Sequence, residues 1–301
     1  MNLRALHQSD LGGLLALWNR TMTLDPLPPA VMHEKVWEDI NFELDLTVAA
    51  EVQGSMVGFA VGVVRETPAG RRGCVKLICV DAAHQHRGVG SRMLEALEQR
   101  FVAREVTEIR VGESAPNYLT PGVDVRYEAA QQFFEAHDYL RFAETQNLET
   151  DLNNNDLSTN EDERRLTREG IEVRRAMAGD TPSVIAFLNR EQWPSWGDEV
   201  RRSFRNAPIS LHLARANGEV IGFAAYDSNN VGTGWFGPMG TAASARGKGI
   251  GTVLLKRCLR DLKAQGRDRA TIPWVGPMEF YVDRVTAAVS RRFIRYQKRL
   301  A

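Results

Sequence analysis

Apolar and polar positions along this chain follow one order of elements that is run through twice. Residues 3–5 read as a short strand, and Ser9 or Asp10 can cap a helix carrying Leu14, Leu15, Leu17 and Trp18. The order recurs past residue 170. Residues 171–175 are strand-like, Asp180 can cap, Pro182 sits early in a helix, and Val184, Ile185, Phe187 and Leu188 follow. Asn19 and Asn189 fall at the same place. A hairpin comes next in both halves, around Gln53-Gly54 in the first and around the strong turn pair Asn217-Gly218 in the second.

A third hairpin-side strand then leads into a glycine turn and a helix. CVKLICV is followed by DAAHQHRGVG and a helix with Met93, Leu94, Leu97 and Phe101 on one face. GWFGPMG is followed by TAASARGKGIG and a helix with Leu254, Leu255, Cys258, Leu259 and Leu262. Further strands are expected over residues 108–113 and 270–275, and each half ends on a segment with paired aromatics, Phe133-Phe134 and Phe280-Tyr281. The spacing between matched positions shrinks from Asn19/Asn189 through Gly88/Gly249 to Phe134/Tyr281, so the second copy has shorter loops. An internal repeat of one mixed α/β unit accounts for the pattern.

The stretch DLNNNDLSTNEDERRLTREG is polar and lacks an apolar period, and it reads as an exposed connection. That places one domain at 1–153, a linker at 154–170 and a second domain at 171–301, close to the size expected from 301 residues. A formal net charge of +0 argues against a nucleic-acid or anionic-membrane partner, which needs a surplus of Lys and Arg. Cys74, Cys79 and Cys258 are odd in number and not spaced for zinc, and the histidines show no metal spacing, so no metal and no disulfide framework are expected and the cytoplasm is the expected compartment. No signal-peptide core and no membrane-length apolar run is expected.

The chemistry lies in the two turns, Gln85-His86-Arg87-Gly88-Val89-Gly90 and Arg246-Gly247-Lys248-Gly249-Ile250-Gly251. Both read Gln/Arg-x-x-Gly-x-Gly between a strand and a helix. The first turn of a helix has unpaired N–H groups and the positive end of the dipole, and glycines let those amides approach an anion. Arg87 or Lys248 adds a charge from the side, and a pyrophosphate suits the result. A single copy would equally read as a tight strand-to-helix turn, but two copies in the same context favour a site. The spacing is neither the dinucleotide-binding fingerprint, which has a third glycine, nor a Walker P-loop.

With these residues the chain resembles the GNAT (Gcn5-related) N-acetyltransferase superfamily, twice over nearly its whole length. The resemblance implies two tandem domains, each a splayed mixed β-sheet flanked by helices. It implies that residues 85–90 and 246–251 hold the pyrophosphate of acetyl-CoA, with main-chain groups near Cys79 and Val80, and near Met239, Gly240 and Thr241, facing the acetyl and pantetheine. It also implies direct transfer to an amine, with the departing thiolate protonated by a tyrosine of an aromatic pair. Tyr281 fits that place, whereas Phe134 has no hydroxyl, so the second half is the expected catalytic one and the first is degenerate. Tyr281 reads alternatively as a core aromatic. Glu279, Asp227 and Asp283 are candidate bases, Glu279 foremost, and water is a further proton relay.

The stretches PGVD at 121–124, GPMGT at 237–241 and WVGPMEFY at 274–281 are similar to those of bacterial glucosamine or glucosaminide N-acetyltransferases. An amino sugar is therefore the expected acceptor. Trp193, Trp196, Trp235 and Trp274 suit a sugar platform or a packed core. The expected partner is a small-molecule amine, and the chain is expected to be a monomer or homodimer. A non-catalytic acetyl-CoA-binding module and a mycothiol-synthase-like acetyltransferase stand as alternatives. Gly237-Pro238 within the fourth strand of the second copy implies a bulge, an edge or a splayed strand, because proline cannot donate to a ladder.

Overall fold

A computed structural model of the chain describes residues 1–300. Its elements in order are β1 (Asn2–Arg4), α1 (Leu11–Thr21), α2 (Pro29–Val36), β2 (Thr47–Val52), β3 (Ser55–Thr67), β4 (Gly70–Val80), α3 (Val89–Val102), β5 (Glu108–Val111), β6 (Val123–Asp124), α4 (Glu128–Glu135) and β7 (Leu140–Asp151). There follow α5 (Asn160–Arg168), β8 (Ile171–Arg175), α6 (Thr181–Arg190), α7 (Gly197–Ser203), β9 (Leu211–Ala216), β10 (Glu219–Tyr226), β11 (Phe236–Thr241), α8 (Ile250–Ala264), β12 (Arg269–Ile272), α9 (Met278–Val285) and β13 (Ala288–Arg299). From β8 onward the order repeats that of the first half, without a counterpart of β6.

The chain forms two compact units, Met1–Thr145 with Arg292–Ala301, and Gln146–Arg291. This division departs from the boundaries read off the sequence in two respects. The expected linker, 154–170, holds a helix, α5, anchored in the second unit by the fully buried Leu166. The last strand of the chain belongs mostly to the first unit. There β13 runs antiparallel to β5, from Gln297↔Arg110 to Arg299↔Glu108, and pairs with β6 at Phe293↔Asp124. Correspondingly, β12 of the second unit takes its antiparallel partner from the later part of β7, with Arg269↔Asp151 through Ile272↔Leu148. Each copy of the repeat thus surrenders its final strand.

In the first unit β1, β2, β3 and β4 are antiparallel neighbours. Strand alternation sends Val48, Ala50, Ala60 and Val75 into one core with the Met93, Leu94, Leu97 and Phe101 face of α3. It sends Ala49, Phe59, Val61, Leu77 and Cys79 into another with Leu14, Leu17 and Trp18 of α1 and Val31, Met32 and Val36 of α2. The second unit builds its core from β8 to β11, α6 and the Leu254, Leu255, Cys258, Leu259 and Leu262 face of α8. All three cysteines are buried and unpaired with one another.

Both units part their sheet at the fourth strand. β5 pairs in parallel with β4 only from Arg72↔Glu108 to Val75↔Val111, after which Gly112 turns away at φ 78 and β4 continues to Val80. In the second unit β11 is the edge of its sheet and meets β12 only through an isolated parallel bridge, Trp235↔Thr271. The register between β10 and β11 shifts between Ala224 and Tyr226, beside Gly237 and Pro238, so the proline occupies an irregular edge strand. The expected strands at 108–113 and 270–275 are shorter than read. Gly112 leaves extended geometry in the first, and Pro273, which cannot donate, follows the last residue of β12.

Arg65 of β3 and Lys76 of β4 meet Asp39, from the loop after α2, in a buried charge cluster. Asp39 accepts from Arg65 at 2.6 and 2.7 Å and from the buried Lys76 at 2.5 Å. Arg65 also donates to the carbonyls of Ser114 and Ala115 at 2.9 Å, and Lys35 donates to Asn117 at 2.8 Å. Burial pushes the Asp39 carboxyl up, but Arg65 and Lys76 outweigh it and hold the group well below the usual carboxylate range. Removing one partner of such a set strands the other charges out of water, so Asp39→Ala should cost about 3–5 kcal/mol, read as a lowered thermal midpoint. A midpoint unchanged by that substitution would show that the cluster is solvated.

Candidate functional site

The two glycine turns match in backbone and in side-chain bonding. At the end of β4, the Asp81 N–H donates to the Val57 carbonyl at 2.8 Å, and at the end of β11 the Ala242 N–H donates to the Ile221 carbonyl at 2.9 Å. A single 3-10 turn follows in each, Ala82–His84 and Ala243–Ala245. The first residue of each motif then reaches back to the strand it has just left. Gln85 Nε2 donates to the Val80 carbonyl at 3.0 Å, and Arg246 Nε donates to the Thr241 carbonyl at 3.4 Å. Glutamine and arginine share that role because both place a donor N–H at the end of a long stem.

Gly88 at φ 77 and Gly249 at φ 78 are the N-caps of α3 and α8. Both are left-handed, a conformation that penalises any side chain. Two residues earlier His86, at φ 55, and Gly247, at φ 80, are also left-handed, and the second copy has glycine where the first carries the strain of a histidine. Neither helix has a side-chain cap bond, so the first amides of α3 and α8 are left to bind something else. Nothing lies within 4 Å of a Cβ placed on Gly88 or Gly247. An open ring of amides at a helix start, with Arg87 or Lys248 alongside, fits a pyrophosphate.

The last glycine of each motif faces the aromatic pair. A Cβ on Gly90 would stand 3.1 Å from Phe133 and 3.7 Å from Val80, and one on Gly251 would stand 3.5 Å from Phe280, 3.6 Å from Met239 and 3.7 Å from Thr241. The structure therefore brings together the fourth strand, the glycine turn and the helix after the fifth strand in each unit by itself. It also fixes the equivalence of Phe133 with Phe280, and so of Phe134 with Tyr281. Phe134 is a core residue packed edge-on to Tyr139 and near Tyr296. Tyr281 is 7% exposed, with its ring 6.3 Å from that of Phe236 and 5.1 Å from that of Phe280. Its hydroxyl has no hydrogen-bond partner among the described residues, and burial pushes it up to about 12.

The three candidate bases differ in setting. Glu279 and Asp283 are exposed on α9, and two positions along a helix set Glu279 about 200° round from Tyr281. Asp227 is buried in the loop after β10, where its Oδ1 accepts the Gly232 N–H at 3.0 Å. Cys79 lies at the end of β4 on the α1 and α2 side of the sheet. Gly240, its counterpart, is covered by the Trp193 ring, since a Cβ there would collide with Trp193 Cζ3. Trp193 and Trp196 join Phe187 and Phe223 in one aromatic cluster, and the Trp274 N–H donates to Asn147 Oδ1 at 3.0 Å. The contact of Trp193 with a strand glycine had no signal in the sequence beyond the glycine itself. Among the described residues no group of His, Cys, Asp and Glu could hold a metal ion, and no helix is long and apolar enough to cross a membrane.

Comparison with known proteins matches this geometry. The family described as Acetyltransferase (GNAT) family matches residues 14–120 and 179–277, one stretch in each copy. Among solved structures, the chain is similar to a fungal multi-domain GH3 β-N-acetylglucosaminidase described as having a unique GCN5-related glucosamine N-acetyltransferase region, with a TM-score of 0.82 and 22% identity. That match covers 99% of this chain and 38% of the other. It is also similar to a GCN5-related N-acetyltransferase from Sphaerobacter thermophilus, at TM-score 0.70 and 15% identity, covering 99% of this chain and 95% of that one. A tandem GNAT protein from the clavulanic acid biosynthesis pathway aligns at TM-score 0.68 and 15% identity, covering 99% of this chain and 98% of the other.

Proposed function

The chain belongs to the acetyltransferase (GNAT) family, and from that premise we propose that its second unit transfers an acetyl group from acetyl-CoA to a primary amine of a small molecule, an amino sugar foremost. The observation that carries the proposal is the pair of left-handed glycine caps with uncapped helix amides, joined in the second unit alone to a tyrosine at the aromatic position. Acetyl-CoA supplies an activated thioester when bound. The chain's own groups do the rest. The amides of residues 246–251 and Lys248 hold the pyrophosphate, and main-chain groups of Met239, Gly240 and Thr241 orient the acetyl end. Tyr281 keeps its proton through the neutral range and is placed on the face that meets Phe236, where it gives that proton to the departing thiolate. The incoming amine loses its proton to water or to Glu279, of which water suits the exposed position of Glu279 better.

The first unit has the same turn but no hydroxyl at Phe134, and a buried ion-pair cluster ties Arg65 of β3 and Lys76 of β4 to Asp39. That combination supports binding without turnover there. The amino-sugar reading draws support from the glucosamine N-acetyltransferase region named for one structural neighbour and from the Trp193 ring lying on β11.

A thiol-release assay with acetyl-CoA and a panel of amino sugars, polyamines and aminoglycosides tests the whole reading. Turnover with an amino sugar is expected, and bound acetyl-CoA without turnover on any amine would leave only a binding module. Calorimetry tests the sites. The chain should bind two acetyl-CoA molecules, and Gly90→Trp or Gly251→Trp should each remove one, because each fills the space between turn and aromatic ring. Turnover should vanish with Gly251→Trp only.

A further inference from the structure

The helix between the repeats lies outside the repeated pattern, yet it carries a guanidinium to the second glycine turn. Arg165 Nη2 donates to the carbonyl of Lys248 at 3.0 Å. The same nitrogen stands 2.9 Å from where a Cβ on Gly249 would be, so the guanidinium lies against the glycine that caps α8. At the first turn nothing lies within 4 Å of the corresponding point on Gly88. A guanidinium against the capping glycine is therefore found at the second turn and not at the first.

This placement is held from several directions. Asp162 Oδ1 and Glu169 Oε1 each accept from Arg165 at 3.1 Å. The helix beneath it is tied to α8 by Arg257 donating to Glu163 at 2.8 Å and by Arg260 donating to Thr159 at 3.3 Å, and Leu166 is fully buried. Three hydrogen bonds engage the guanidinium among the described residues, and it has five N–H donors, so donors remain for an oxyanion.

We propose that Arg165 is a phosphate-binding residue of the second cofactor site, which makes α5 part of that site. The inference rests on the reading of residues 246–251 as a coenzyme A turn. Helix amides contribute only partial charge, and Lys248 is a single point donor on a flexible stem. A planar guanidinium fixed beside them adds a directed, charge-assisted contact that the first turn lacks. Its two carboxylate neighbours offset much of its net charge. Its contribution is therefore a hydrogen bond of fixed direction rather than a long-range field.

The test is calorimetric titration of the full chain and its Arg165→Ala variant with coenzyme A and with dephospho-coenzyme A, and ligand-observed NMR with pantetheine, which has no phosphate. Arg165 is a half-buried side chain, and an unchanged thermal midpoint checks that the variant folds. The expected result is about tenfold weaker coenzyme A binding at one of the two sites, with pantetheine unaffected and partial recovery in Arg165→Lys. Equal weakening with dephospho-coenzyme A assigns the contact to the diphosphate, and no weakening with it assigns the contact to the 3′-phosphate; either supports the proposal. Unchanged coenzyme A binding, or the same loss with pantetheine, would overturn it. Failure of the unaltered chain to bind coenzyme A would instead overturn the reading of the turn on which it rests.

Discussion

Tyr281→Phe should lower kcat by about 10² while leaving the KM for acetyl-CoA unchanged, because a general acid acts on the departing group and not on the bound ground state. About 10² corresponds to about 2.7 kcal/mol of barrier, the low end of what a positioned proton donor supplies. The phenyl ring of the variant keeps the edge-on packing against Phe236 and Phe280, so the core of the second unit is retained. Phe134→Leu should leave kcat unchanged, since that ring is packing material of the first unit. Equal losses at both positions would refute the assignment of chemistry to the second unit. The pH profile gives an independent reading. Burial raises the Tyr281 hydroxyl to about 12, so the donor form persists throughout the neutral and mildly alkaline range and is lost only as pH rises toward that value. No alkaline fall in kcat should appear below pH of about 10. A fall with an apparent pKa well below that, abolished in Tyr281→Phe, would mean that the hydroxyl titrates in a wetter setting.

Ending the chain at Arg291 should unfold the first unit, although most of that unit lies at the other end of the sequence. Residues 292–299 supply the antiparallel partner of β5 and bring Phe293, Ile294 and Tyr296 into burial, the last two within the α3 core. Deleting a buried large side chain costs about 2–5 kcal/mol, so losing three together with a strand ladder is comparable to the whole usual stability of a domain. Tyr296 also donates to Glu135 at 2.8 Å, and Lys298 reaches Glu98 at 2.9 Å, so α4 and α3 lose contacts too. Limited proteolysis of the shortened chain should cut freely within residues 1–145, and a peptide covering 288–301 added in trans should restore protection. Persistence of a cooperative unfolding transition for residues 1–145, at an unchanged temperature, would show that β13 is an accessory strand.

The glycine turns were legible because their requirement is local. A left-handed cap at Gly88 or Gly249 excludes most side chains, so the residue itself marks the conformation, and the strand before it and amphipathic helix after it mark the context. The alternation of β2 to β4 and the faces of α1, α3, α6 and α8 were legible for the same reason, as was the irregular strand around Pro238. The exchange of β7 and β13 was not. Pairing partners are chosen across more than a hundred residues, and nothing in the alternation of either strand says which β5-type neighbour it will meet. Helix α5 escaped because only Leu166 is buried along it, leaving a charged segment that looks like solvent-exposed chain. Arg165 was hidden with it, and so was Trp193, whose ring needs a bare glycine on a distant strand.

The exchange of final strands also bears on how such a chain is inherited. A duplicated gene ordinarily remains divisible, because either copy encodes a whole fold and one can be discarded once it has lost its activity. Here neither copy encodes a complete sheet. The copy with Phe134 cannot be deleted without removing β7, the partner of β12 in the copy with Tyr281. If chemistry resides in the copy with Tyr281, selection on that copy is enough to retain the other, and the duplication has become irreversible.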